Sequence, residues 1–189
     1  EAQTAGCKIG YEEFAQIAKE EGIAIVGTHE NFDRMVNDFE EAVKIQQILG
    51  APFMGVGGAG VYTEAQTLEY IEKVNAIGKK LIPYNMKFTY HNHSFEFLKY
   101  ENGKNMIDLF YEGFDKDTVS FCLDTYWIQN GGGDVRHWIE KLKGRIPVIH
   151  LKDYAYNENF KEFCDNIAVI GEGILNFDRV FEKAESSGV

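Results

Sequence analysis

The sequence has no apolar run approaching the roughly 18 residues that a membrane span needs, so no membrane-spanning helix and no membrane partner are expected. It shows no leader of charged, then apolar, then small residues, so a cytoplasmic protein is expected, with a start upstream of Glu1 left open. Cysteine is scarce. Cys7, Cys122 and Cys164 are widely spaced, odd in number and without a CxxC, which reads as reduced thiols rather than a disulfide framework. Basic charge is also short: 19 Lys and Arg face 30 Asp and Glu, a net charge of -11. Such a surface repels phosphate backbones, and the Lys79-Lys80 pair near a helix end makes no basic patch, so no nucleic-acid role is expected. The glycine-rich stretch from Gly55 to Gly60 lacks the GxxxxGK[ST] lysine, which argues against nucleotide binding. Its glycines fit a tight turn at a strand end. Gly131, Gly132 and Gly133 read as a flexible loop, a lid. No linker rich in Pro, Gly or Ser interrupts the chain, so residues 1–189 are expected to form a single domain.

What is present is a globular composition, 44% hydrophobic and 14% aromatic, in two alternating periods. Short β-rich runs at 23–28, 53–57, 87–91, 119–124 and 147–152 are spaced about 30 residues apart, the size of a βα unit. Between them lie helical patterns. A helix over 30–50 has Met35, Phe39, Ala42, Val43 and Leu49 on one side. The next carries Leu68, Ile71, Val74, Ile77 and Leu81, and opens with the capping-box pair Thr63 and Gln66. Tyr11, Phe14, Ile17 and Ala18 mark an earlier helix. Asp134 is expected to cap a helix through Trp138 and Leu142, and Asn176 one through Val180 and Phe181.

Repeated βα units imply parallel strands, in an open doubly wound sheet or a closed (β/α)8 barrel. A barrel needs eight units and typically about 250 residues. Five strands are clear and residues 1–4 suggest the end of another, so the expectation is a barrel cut at both ends.

In parallel α/β folds chemistry gathers at the carboxyl ends of the strands. Here those ends carry His29 with Glu30, then His91, Asn92 and His93 with Glu96 beyond, then Asp124, then His150, Lys152 and Asp153. Asp124 follows Cys122 and Leu123, and His150 lies between Ile149 and Leu151. Strand alternation then turns Asp124 and His150 away from the helices, and His91 could point the same way. A His/Asp/His set suits Mn²⁺, Zn²⁺, Co²⁺ or Mg²⁺. Each of these residues has a structural alternative. Asp124 could cap the following turn, His150 could be a core histidine, and His93 could replace His91 as ligand. Glu96 could pair with a surface lysine, His29 could be a buried hydrogen-bonder, and Lys152 with Asp153 could be a solvated pair.

The segments Tyr90-His91-Asn92-His93-Ser94-Phe95-Glu96-Phe97, Phe121-Cys122-Leu123-Asp124-Thr125-Tyr126-Trp127, Val148-Ile149-His150-Leu151-Lys152-Asp153 and Gly171-Glu172-Gly173 resemble the sugar phosphate isomerase/epimerase family. The resemblance runs over essentially the whole chain and is most specific over residues 85–153. It implies a xylose isomerase-like TIM barrel and a divalent metal held by four side chains at strand ends. Asp124 and His150 match two of these ligands. His91 stands where many members place a Glu, and the fourth ligand, a Glu on the last strand, has no counterpart in this chain. Trp127 stands where many members have a His.

The resemblance implies isomerisation or epimerisation of a small keto sugar or polyol through an enediolate stabilised by the metal. Glu96 is the candidate proton-transfer residue, with His29, His93, Trp127 and Lys152 as substrate contacts. Arg136 and Arg145 are isolated, which favours an unphosphorylated substrate. The rival readings are a dehydratase or lyase acting on a keto-inositol or 3-keto sugar, an endonuclease of the same superfamily, and a non-catalytic sugar-binding barrel. A small-molecule substrate is the expected partner, and a homo-oligomer is left open.

Overall fold

The computed structural model describes residues 1–3, 8–158, 164 and 166–189. Cys7, and Thr4 at the end of the expected first strand, lie outside the described residues. The chain divides into two compact units, Glu1–His91 with Gly113–Ser120, and Asn92–Glu112 with Phe121–Val189.

The first unit runs β1 (Ala2–Gln3), α1 (Tyr11–Glu20), β2 (Gly27–His29), α2 (Phe32–Asn37), α3 (Phe39–Leu49), β3 (Phe53–Val56), α4 (Glu64–Leu81) and β4 (Lys87–His91). Its strands lie in sequence order and every pairing between them is parallel, with Thr28 opposite Met54 and Met54 opposite Phe88. The crossover helices bury one face each, as parallel strands require. On α4 that face is Tyr70, Ile71, Val74, Ile77 and Leu81, all buried. Leu68 is exposed instead, because the stripe runs through Thr67. Thr63 and Gln66 form the expected capping box.

Two expectations shift here. The helix expected over 30–50 is broken at Asp38, whose φ of -140° is not helical, so Met35 belongs to α2 and Ala42, Val43 and Leu49 to α3. The run 23–28 is strand only from Gly27 onward. Ile23 and Val26 are exposed, so their apolarity reflects a surface patch rather than a strand interior.

The chain then passes through α5 (Met106–Gly113) into β5 (Val119–Asp124), which begins in the first unit and ends in the second. All six residues of β5 are buried, the near-continuous apolar signature of a parallel strand covered on both faces. The second unit continues with α6 (Thr125–Asn130), α7 (Val135–Lys141), β6 (Val148–His150), β7 (Asp153–Tyr154), β8 (Ile167–Ala168) and α8 (Phe177–Ser187). Parallel pairing sets Cys122 opposite Val148 and Asp124 opposite His150. Asp134 caps α7 and Asn176 caps α8, as their positions suggested. Val180 of α8 is buried, whereas Phe181 is exposed. Gly131 and Gly133 are packed against Phe97, where an added Cβ would collide with the ring. They allow a close approach of the backbone to that ring. Among the described residues, no helix is long and apolar enough to cross a membrane.

The β7–β8 antiparallel ribbon was not expected from the sequence, and Asp153 organises it. Asp153 is 0% exposed, not a solvated neighbour of Lys152. Its Oδ2 accepts the N–H groups of Gly171 and Gly173 at 2.9 Å, and its Oδ1 those of Tyr154 at 2.8 Å and Leu175 at 3.1 Å. Gly173 lies so close to Asp153 and the Tyr154 carbonyl that a Cβ there would collide with both. Burial pushes the Asp153 carboxyl up. The N–H groups of Leu175, Gly173, Tyr154 and Gly171 more than offset this and hold it below the usual carboxylate range.

A folded pKa below the unfolded one gives stability that is present above the unfolded value of about 3.9 and lost as pH falls below it. Asp153→Ala, which leaves buried N–H groups without their acceptor, should cost on the order of 2–4 kcal/mol in urea unfolding. The variant should also lose less stability than wild type on acidification below about pH 4. An unchanged midpoint would contradict this assignment.

Candidate functional site

The site is built from the end of β5. Asp124 is the last residue of that strand and the cap of α6, so its two carboxylate oxygens face different duties. Oδ1 accepts the Trp127 N–H at 3.2 Å, the N-cap bond that starts α6. Oδ2 is left for the neighbouring strand. There Lys152 Nζ lies at 2.8 Å and His150 Nδ1 at 3.6 Å. The two alternatives for Asp124, helix cap and ligand, are therefore compatible: one oxygen serves each.

The side chain of Asp124 is 0% exposed, and its backbone is pinned as well. Asn92 Oδ1 accepts the Asp124 N–H at 2.9 Å, and Asn92 Nδ2 donates to the Asp124 carbonyl at 3.4 Å. Thr125, the next residue, reaches across to β6. Its hydroxyl donates to the Lys152 carbonyl at 2.6 Å and accepts the Lys152 N–H at 2.9 Å. These bonds fix the backbone beyond His150, while the His150 and Lys152 side chains stay partly open, at 24% and 35% exposure.

Asn92 and Thr125 were not singled out from the sequence. The signal for Asn92 was its place between two histidines, and for Thr125 its position directly after the Asp. Both residue types are so common in turns that neither signal is specific.

The other expected residues fall into two groups. In the second unit, Glu96 is 0% exposed, and its Oε2 accepts the His93 N–H at 2.9 Å. The His93 ring stacks on Phe95 at 5.5 Å and leans on Trp127 at 5.1 Å. Trp127 is buried, with Tyr126 at 4.6 Å and Lys152 Nζ 5.8 Å from its ring centroid. In the first unit, His91 ends β4 and is buried, 5.1 Å from the His29 ring. His29 Nε2 lies 3.0 Å from a carboxylate oxygen of Glu1, a partner the sequence reading did not name. Of the two arginines considered, Arg145 is buried, donates to the Tyr111 carbonyl and covers the Phe121 ring, a packing role. Arg136 pairs with Asp134 at 3.4 Å and, with Arg179, lines a cavity of about 550 Å³.

The donor chemistry fits a divalent cation. Two ligands of one ion, each about 2.0–2.2 Å from it, lie roughly 3 Å apart in tetrahedral or octahedral geometry. The 3.6 Å between Asp124 Oδ2 and His150 Nδ1 is close to that separation. The Lys152 ammonium already places a positive charge against the same oxygen. A carboxylate with an imidazole accommodates Mn²⁺, Zn²⁺, Co²⁺ or Mg²⁺ without selecting strongly among them.

Comparison with known proteins places the fold in a family. The chain is 27% identical over 139 residues to an inosose dehydratase of Geobacillus thermodenitrificans, an alignment covering 68% of this chain and 46% of that protein. It therefore spans about half the length of that relative. A sugar phosphate isomerase/epimerase from Parabacteroides distasonis superposes with a TM-score of 0.81 at 24% identity, over 96% of this chain and 66% of that one. The IOLI protein with a bound zinc atom superposes with a TM-score of 0.75 at 12% identity, over 100% of this chain and 74% of its own. Residues 4–189 match the sequence pattern described as the xylose isomerase-like TIM barrel, and the chain belongs to that family.

Proposed function

We propose that this chain carries the site of a metal-dependent enzyme that moves a proton on the carbon beside a carbonyl of a small keto sugar or polyol, as an isomerase or epimerase. The observation that carries this reading is the division of labour on Asp124, with Oδ1 spent on α6 and Oδ2 turned toward His150 and a cation. Asp124 and His150 are the first two ligands. His91 is proposed as the third, from its place at the end of β4, one residue before the Asn92 that pins Asp124. When bound, a divalent cation stabilises the negative charge that develops on the substrate oxygen as the proton leaves. Support for a metal in this fold comes from the zinc in the IOLI structure.

The remaining chemistry belongs to the chain's own residues. Glu96 is the proposed proton carrier. A carboxylate with no exposed surface is held away from bulk water, and its bond from the His93 N–H fixes its orientation. His29, His93, Trp127 and Lys152 are the proposed substrate contacts. With Trp127 buried, its part is a wall behind His93 rather than an open stacking platform. An unphosphorylated substrate suits the arginines: Arg145 is committed to packing and Arg136 is paired with Asp134.

Dehydration of a keto-inositol is the second reading, favoured by the similarity to the inosose dehydratase. It begins with the same proton removal and ends with loss of a β-hydroxyl as water.

Solvent deuterium should enter the carbon beside the carbonyl of at least one ketose or inosose, and EDTA should stop this. Exchange that survives EDTA, or none with any keto sugar or inosose tried, would count against the reading. Mass spectrometry of the product separates the two outcomes, because isomerisation conserves mass and dehydration removes water. Asp124→Asn and His150→Ala should each weaken metal binding by at least about tenfold, measured by calorimetry on metal-stripped protein. Glu96→Gln should keep metal affinity and lower kcat by about 10²–10⁴. A Glu96→Gln enzyme with wild-type kcat would remove Glu96 from the mechanism.

A further inference from the structure

Asp124 Oδ2 has two claimants. Lys152 Nζ occupies it at 2.8 Å, and His150 Nδ1 stands 3.6 Å from the same atom. The other oxygen accepts the Trp127 N–H that caps α6, so Oδ2, already against the lysine, is the oxygen turned toward His150 and an added cation. A carboxylate with no solvent exposure needs hydrogen-bond donors or a positive partner around it. Here the chain supplies one itself.

The attachment of Lys152 is unequal along its length. Its backbone N–H and carbonyl are both tied to the Thr125 hydroxyl, so the main chain stays in place. Its side chain is 35% exposed and reaches Asp124 by a single ammonium contact, and the ring of Trp127 lies beside it, 5.8 Å from Nζ to the centroid. The ammonium can therefore leave Oδ2 by side-chain rotation alone, toward solvent or toward the indole face, where a cation is also favoured.

We propose that Lys152 is a built-in counter-ion that competes with the divalent cation for Asp124 Oδ2, so that loading the site releases the Lys152 ammonium toward the substrate. This rests on the metal reading of Asp124 and His150 given above. Lys152 acts here as a positioning residue that holds the carboxylate oriented by its 2.8 Å ion pair. It also sets a penalty on metal affinity, because its own ion pair must be broken first. The competition is electrostatic, so a neutral side chain should relieve it and an arginine should preserve it.

The test uses the full chain, stripped of metal and titrated with Mn²⁺ alone in a calorimeter. Lys152→Met should bind Mn²⁺ about tenfold more tightly than wild type, the change expected when one partly exposed ion pair no longer opposes binding. Lys152→Arg should stay within about threefold of wild type. Without metal, Lys152→Met should melt below wild type, and Mn²⁺ should raise its Tm by more than it raises that of wild type. Should Lys152→Met not fold, wild type still decides the matter. Acetylation of Lys152, followed by mass spectrometry, should speed up when Mn²⁺ is added, as the ammonium is freed. Equal or weaker Mn²⁺ affinity in Lys152→Met, or acetylation that Mn²⁺ leaves unchanged or slows, overturns the proposal while leaving the metal site standing. If wild type binds no Mn²⁺ and Asp124→Asn changes nothing, the metal reading itself fails and this proposal falls with it.

Discussion

The carboxylate of Asp124 is the constraint on which the candidate site depends. It ends a strand buried along its whole length, and it starts the helix that follows. A strand that turns directly into a helix leaves the first N–H groups of that helix without partners, and a side chain at the junction must accept one. Asp124 does this with one oxygen. Because the side chain has no exposed surface, the second oxygen must also be satisfied, and only positive or proton-bearing groups can do so. Lys152 and His150 stand where that requirement places them, across the β5–β6 pairing. Structure and chemistry meet here: the residue that terminates the strand creates the demand for a donor or a cation at its second oxygen.

The neighbouring residues make sense as consequences. Asn92 satisfies the Asp124 backbone where regular pairing ends, and Thr125 fastens the loop after β6 by a hydroxyl that both donates and accepts. Further along, Asp153 repeats the principle with backbone donors. Four N–H groups replace the cation, and they gather the segment around Gly171 and Gly173 into one turn. The two buried aspartates thus have opposite solutions, Asp153 closed by the main chain and Asp124 by partly exposed side chains. Only the second can exchange its partner, which is why the chemistry is assigned to Asp124 and not to Asp153.

Much of the fold was legible because parallel βα units leave strong marks. The runs Lys87–His91, buried after Lys87, and Val119–Asp124 emerged with the expected ends, since a strand covered on both faces carries β-branched and aromatic residues up to its polar terminus. The caps at Thr63, Asp134 and Asn176 were equally clear, because capping is a local contact. Ile23 and Leu68 misled for the opposite reason: an apolar side chain on the surface looks the same in sequence as one in the core. The break at Asp38 and the β7–β8 ribbon depend on backbone geometry that periodicity does not encode.

At the site, sequence showed which residues end the strands, and the structure adds which atoms meet. That Asp124 faces His150 followed from strand alternation and was legible. That Lys152 would sit on Asp124, that Glu96 would be fully buried, and that Asp153 would be closed by backbone amides were not, because each depends on loops whose paths no short motif specifies. The most direct measurement of the central claim is anomalous diffraction from a crystal of the full chain grown with Mn²⁺. The account predicts a single peak within about 2.0–2.3 Å of Asp124 Oδ2 and a His150 ring nitrogen, with Lys152 Nζ moved off the carboxylate. No peak at Asp124, or a peak elsewhere with the Lys152–Asp124 pair intact, would contradict it.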